Sequence, residues 1–242
     1  MEERLHFYTF PCSLMKGFSE SEEKANHCLE LIICFVGFRA WIDSKCNDVR
    51  RFNSIICKRL RLSNFFNGIT YDEFIRMPIA QEMIAIFNNH SKEANFSMSI
   101  DTFFHFKNSD KIRQTDRELL LAFLSVKSIL GGRTYWLTNK TILLSRMSGN
   151  TKTKADAISS SLMKYTSRYH LGILLNGLFL KYGVSIYSDR GIRGFYISLK
   201  KTDNDEPDLE WLADVVEEKR KAKDNSLHKA LKKIKSQRNG TS

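Results

Sequence analysis

Apolar residues recur along this chain mostly at three- and four-residue steps, the signature of helices that bury one face. The exceptions are short. Residues 5–10 alternate and end at Pro11, which predicts a strand. Ser19 followed by Glu22 has capping-box spacing and opens a predicted helix to about Ile42, apolar nearly all round in its second half and so central to an N-terminal core. Asn47 or Asp48 caps a second helix, with Val49, Phe52, Ile56 and Leu60 inward. Its other face holds Arg50, Arg51, Lys58, Arg59 and Arg61, for which a solvated surface is the ordinary explanation. Asn67-Gly68 marks a turn. Thr70 and Glu73 repeat the capping-box spacing before a short helix that Pro78 interrupts, with the helix resuming over 79–89. Ser99 caps another, and Phe103, Phe104 and Phe106 add aromatic core. The run 108–114 is polar apart from Ile112, and a domain boundary is expected there.

Beyond it, Thr115 and Glu118 form a further capping-box pair ahead of a helix over 119–130, stopped by Gly131-Gly132. Residues 134–137 are β-branched and aromatic and suit one strand. Thr138 or Asn139 caps a helix with Ile142, Leu143, Leu144 and Met147 inward, broken at Ser148-Gly149-Asn150. A new helix is predicted from 151–155 onward, carrying Ile158, Leu162 and Met163 inward. A further helix over 168–181 stops at Gly183. Strands over 184–187 and 193–199 then flank the turn Ser188-Asp189-Arg190-Gly191. Residues 201–207 read as a polar linker, Leu209 to Val216 as a short helix, and the rest as a basic tail.

Charge changes the picture because it is uneven. The 242 residues carry a formal net charge of +11. Residues 111–200 hold 15 Lys and Arg against 4 Asp and Glu, so that segment alone accounts for the excess. A single-sign field on one module is the footprint of a polyanion binder. Within it, Thr151, Lys152, Thr153 and Lys154 line a predicted helix start. Cations there oppose the helix dipole, while free backbone N–H groups favour an anion, so a phosphate is the natural partner. Residues 219–238 add 9 Lys and Arg against one Asp, on a stripe with Leu227, Leu231 and Ile234. Such a tail fits a phosphate backbone, a membrane surface or a solvated coil alike.

Other chemistry finds no support. The five cysteines are irregularly spaced, and the six histidines are scattered without ligand spacing, so no metal and no cofactor is expected. Phosphate-binding loops, dinucleotide fingerprints and nucleophile elbows are absent from the sequence. Carboxylates in the basic segment are too few for a metal nuclease. Glu2 and Glu3 stand where a signal peptide carries positive charge, and the apolar run 29–42 is interrupted by Glu30 and Arg39. The expectation is a cytoplasmic protein with no membrane span.

The order helix, short strand, helix, turn, helix, hairpin over residues 115–199 resembles a winged helix-turn-helix DNA-binding domain. The resemblance covers about a third of the chain and rests on pattern, not on invariant residues. It implies a mainly α (α+β) fold: a helical N-terminal domain over 1–110, a winged-helix domain over 111–200 with a small β-hairpin wing, and a linker and basic helical tail over 201–242. It also implies a non-enzymatic partner of double-stranded DNA, a transcriptional regulator or replication-initiation factor, open to acting as a homodimer. Plasmid and mobile-element replication initiators use such units, often in tandem, but the N-terminal segment shows no second wing. Thr151, Lys152, Thr153, Lys154, Ser160, Lys164 and Arg168 are the candidate contacts around the groove. Arg190 and Arg193 are those of the wing. The family runs from recognition helix to wing directly. Here 168–182 intervenes, either as the end of a long recognition helix broken near Thr166 or as an inserted helix. The alternative use of the same fold is a protein-interaction module whose basic face meets an acidic partner.

Overall fold

The longest buried element of the computed structural model, which describes residues 6–45, 48–66, 68–89, 94–109, 111–150, 158–188 and 193–239, is α1 (Glu22–Asp43). The Ser21 side chain caps it by accepting from the Lys24 amide, and Glu22 and Glu23 place carboxylates at the positive end of its dipole. The capping box expected at Ser19 is therefore not formed. Ser19 is buried, and its hydroxyl meets that of Ser161 at 3.0 Å. By length and composition α1 could cross a membrane, yet 67% of its most apolar window is buried inside the protein, so it serves here as a core helix. Its Trp41 stacks on Phe52 of α2 (Val49–Ser54) with ring centroids 3.6 Å apart.

β1 (Phe7–Pro11) pairs antiparallel with β2 (Asn95–Ser99), Phe7 opposite Ser99 and Pro11 opposite Asn95. Asp48 caps α2, which runs on into a π-helical turn, Ile55–Arg59. α3 (Ser63–Phe66) and α4 (Tyr71–Arg76) follow, and here the Thr70–Glu73 capping box forms in both directions. Met77 is extended, as a residue before proline must be, and Pro78 opens α5 (Pro78–Asn89). α6 (Ile100–Asn108) is capped by Ser99.

The second half of the chain contains α7 (Gln114–Leu130), β3 (Tyr135–Thr138), α8 (Lys140–Met147), a 3-10 turn (Ser160–Thr166), α9 (Arg168–Tyr182), β4 (Ser185–Tyr187), β5 (Phe195–Ser198) and α10 (Leu209–Asn239). Gly131 (φ 53°) and Gly183 (φ 65°) end α7 and α9 in the left-handed conformation. β5 lies between β3 and β4 and is antiparallel to both. The first turns of α10 pack on this sheet, with the Trp211 ring edge-on to Tyr135 at 5.8 Å and the Lys200 ammonium over Trp211. Buried side chains form one continuous cluster from Tyr8 to Ile197, so the mainly helical α+β chain shares a core across position 110. Lys127 of α7 shows the join: its ammonium donates to the Ser97 carbonyl of β2 at 2.9 Å and lies over the Phe7 ring.

Buried tyrosines in this core give the fold an alkaline limit. Tyr182 stacks flat on Phe123 at 4.2 Å. Burial, and then the nearby charge of Asp116, push its hydroxyl up to about 12. Burial pushes the Tyr8 and Tyr165 hydroxyls upward too. The unfolded value is about 10. A group whose folded value is raised stabilises fully below the unfolded value and loses that contribution as pH climbs through the folded one. Stability is therefore expected to fall from about pH 10 upward, and Tyr182→Phe to flatten that decline. Urea unfolding repeated across pH, with tyrosinate absorbance followed in parallel, measures both.

Candidate nucleic-acid interface

Two helices begin at the same place. Asn139 caps α8, its side chain accepting from the Ile142 amide at 3.0 Å, and Ser167 caps α9, accepting from the His170 amide at 3.2 Å. The first helical residue of each is basic: Lys140 in α8 and Arg168 in α9. Arg193, just before β5, reaches the same spot. Together with Thr141, Thr166, Leu171 and Gly194, these residues line an open cleft of about 520 Å³. No carboxylate lines it among the described residues. Lys140 donates to the Thr166 carbonyl at 2.6 Å, which ties α8 to the end of the 3-10 turn. Arg168 and Arg193 are exposed. Cations at the first position of two helices oppose both dipoles, and an anion held between them reverses the sign of that interaction. Chemically, such an arrangement suits a phosphate or another compact anion.

Of the residues expected to contact DNA, the fold brings Arg168 and Arg193 together. Thr151, Lys152, Thr153, Lys154 and Arg190 lie outside the described residues. Ser160 is exposed at the start of the 3-10 turn. Its neighbours fasten that turn to the N-terminal half: the Ser159 hydroxyl donates to Glu20 at 2.8 Å, and Ser161 meets Ser19. Lys164 is not part of the cleft lining, because its ammonium pairs with Glu118 at 2.8 Å.

Residues 158–166 do not continue the helix expected through Met163. Ile158 and Ser159 are irregular, and 160–166 is a 3-10 helix. Three residues per turn put Leu162 and Tyr165 on one buried side and leave Met163 51% exposed. Lys140 and Thr141 were not among the expected contacts, and Asn139 was read only as a helix cap. The rule applied to 151–154, a basic residue directly after a helix cap, would have found Lys140 as well.

Glu118 is the other departure from expectation. Arg113, not Thr115, occupies the cap position of α7, and it makes no side-chain cap. The Glu118 side chain is fully buried. One of its oxygens accepts from the Tyr165 hydroxyl at 2.5 Å and from Lys164; the other accepts from Gln114 at 3.1 Å. This network fixes the 3-10 turn to α7, and with it the start of α9.

Several of the segment's cations have partners within the fold. Lys181 and Arg113 both pair with Asp116, each at 3.0 Å, and the Arg113 hydrogen bond is the main reason that carboxyl lies below its usual range. Arg117 is buried and donates to the Ile112 carbonyl at 2.8 Å. Arg133 lies over Trp136, and Lys200 pairs with Asp208. Among the described residues, Lys140, Arg168 and Arg193 form a local concentration of positive charge at the cleft.

Cys12, Cys28 and Cys34 are buried thiols and Cys57 is an exposed one, none of the four joined in a disulfide. Burial pushes the Cys28 thiol up to about 12 and the Cys34 thiol up to about 11, which suits small apolar fillers and not nucleophiles. Among the described residues, no group of His, Cys, Asp and Glu is placed to hold a metal ion. Compared with protein-family models, with curated proteins and with solved structures, the chain matches none of them.

Proposed function

We propose that this chain is a non-enzymatic double-stranded DNA-binding protein of winged helix-turn-helix type, acting in transcriptional control or replication initiation. The observation that carries the reading is the cleft where Lys140, Arg168 and Arg193, from three separate elements, converge without a carboxylate among the described lining residues. The strand order β3-β5-β4, with β4 and β5 forming the hairpin that follows α9, supports it, because a winged helix needs that connectivity. In this reading α9 takes the place of the helix before the wing. The N-termini of α8 and α9 grip one phosphate run, and Arg193 reaches the backbone from the wing. These contacts position the protein and supply affinity; they carry no sequence information.

Fluorescence anisotropy on a labelled duplex, repeated across salt concentration, tests it. Each neutralised phosphate contributes a slope of about −0.9 in log K against log salt. Replacing both Arg168 and Arg193 with Ala is expected to weaken binding about tenfold or more and to reduce the slope by about 2. Unchanged affinity in that double variant would remove the cleft from the interface. Selection from random duplex DNA extends the test, since a repeated half-site reports a dimer.

One observation favours the second reading, a protein-interaction module. Tyr169, Ile173 and Leu180 of α9 are 74%, 54% and 73% exposed. A duplex groove does not call for such an apolar face. Absence of duplex binding at low salt, together with a stable complex with an acidic protein, would select it.

A further inference from the structure

α10 is 31 residues long, roughly 46 Å at 1.5 Å per residue. Its first turns are docked: Leu212 and Val216 are buried, and Lys219 lies over the Tyr135 ring at 4.5 Å. Every residue from Glu217 to Leu231 is exposed. The described distal residues are thus a helix without a packing surface, and tertiary packing is the main source of helix stability in proteins. Its sequence makes matters worse. Residues 219–238 hold 9 Lys and Arg against one Asp; Lys221 pairs with Glu217 at 3.9 Å, but no acidic residue follows Asp224 in this stretch to support the helix by i,i+4 pairing. Lys219 and Lys223 stand four apart and repel. A polyanion along the helix offsets such repulsion with attractions of its own.

We infer that the distal half of α10 is a second nucleic-acid-binding surface, which tracks the phosphate backbone beside the duplex held at the cleft. The inference rests on the duplex-binding reading above. The arrangement of residues separates it from the other partners open to a basic helix. A membrane-surface helix keeps its cations on one face and a broad apolar face opposite. Here basic residues occur all round the helix axis, and Leu227 and Leu231 are the large hydrophobics exposed on its described part. Pairing with the same helix of a second copy needs an apolar seam. The seam through Leu227 instead meets Lys223 and Arg220 one and two turns earlier.

The experiment compares the chain with K221Q/K223Q/K229Q, a variant confined to exposed positions that leaves the packed core untouched. Duplex affinity is measured across salt concentration, and helix content by far-UV circular dichroism with and without duplex. The variant is expected to lose about 2.7 units of salt slope, to bind about tenfold or more weakly at 0.1 M salt, and to lose the gain in helix signal that duplex produces in the parent. Equal slope and affinity in parent and variant would overturn the tail surface while leaving the cleft reading intact, provided the Arg168 and Arg193 variant still weakens binding. Loss in the tail variant alone, with the arginine variant unaffected, would overturn the cleft and keep the tail. Failure of the parent to bind duplex at 50 mM salt would overturn both. Tail-dependent binding to vesicles of phosphatidylserine and phosphatidylcholine, with no tail dependence on duplex, would assign the helix to a lipid surface and overturn the inference.

Discussion

Replacing Glu118 with Ala is expected to lower the free energy of unfolding by about 3 kcal/mol, the low end of the range for breaking a buried charge pair. The carboxylate is fully buried, and three side chains converge on it. Removing it leaves the Tyr165 hydroxyl inside the protein without its acceptor, at about 1 to 3 kcal/mol, and opens a void where the side chain stood. Lys164 softens the loss, because its side chain is 39% exposed and can turn to water instead of remaining a stranded charge. Glu118→Gln keeps the shape and gives up only the charge-assisted part, for about 1 to 2 kcal/mol. Tyr165→Phe removes one donor and is expected to cost about 1 kcal/mol. Urea unfolding of the three variants measures the order Ala, Gln, Phe. An Ala variant within about 0.5 kcal/mol of the parent would mean that the network does not operate in the folded protein.

That glutamate also marks the limit of local sequence rules. Thr70–Glu73, Ser19–Glu22 and Thr115–Glu118 all show capping-box spacing, yet only the first forms the box. Spacing permits a cap. Whether the glutamate turns back to its own helix or faces inward depends on what lies opposite. For Glu118 a signal was present. It shares a face of α7 with Ala122, Ser125 and Ile129, all buried, at steps of four, three and four. A glutamate in register with an apolar stripe is a buried glutamate waiting for a partner, and Tyr165 and Lys164 supply one from another element.

Elements defined by their own residues were legible. Pro78 divides α4 from α5, Gly131 and Gly183 stop α7 and α9, and Asn139 caps α8. β2 was not read as a strand, because its Asn and Ser residues disguise the alternation of Phe96 and Met98. The 3-10 turn was read as α-helix, since Leu162 fits either period and only the exposure of Met163 distinguishes them. The short helix and separate tail expected after Pro207 are one helix, α10. Charge was legible in amount but not in disposition. Asp116 pairs with Lys181 and Glu118 with Lys164 through contacts that only the fold creates, whereas Arg113–Asp116 is a local i,i+3 pair. The cleft cations likewise belong to three separate stretches of sequence, and the strand pairing of β3 with β5 brings two of those stretches together.

Gly194 tests that last point. Its φ is 136°, and a Cβ there would lie 2.1 Å from the Thr138 carbonyl oxygen and 3.1 Å from its carbon. Both are backbone atoms of β3, whose Thr138 is paired with Phe195. A flexible side chain could step aside, whereas this backbone cannot move without losing the β3–β5 ladder or shifting Asn139, the cap of α8. Gly194→Ala is therefore expected to lower stability by about 2 to 4 kcal/mol. Gly132 serves as the control: its φ is 85°, but nothing stands within 4 Å of an added Cβ. Gly132→Ala carries only the cost of the backbone conformation, about 1 kcal/mol. The difference between the two in urea unfolding isolates the collision with Thr138. Because Gly194 joins Arg193 to β5, and Thr138 leads through Asn139 into Lys140, the same substitution should loosen the cleft even where the protein stays folded. Under strongly native conditions Gly194→Ala is expected to bind duplex DNA several-fold more weakly than Gly132→Ala. Equal stability in the two variants would show that β3 and β5 do not meet as closely as described, and equal duplex affinity would separate the cleft from the strand pairing that shapes it.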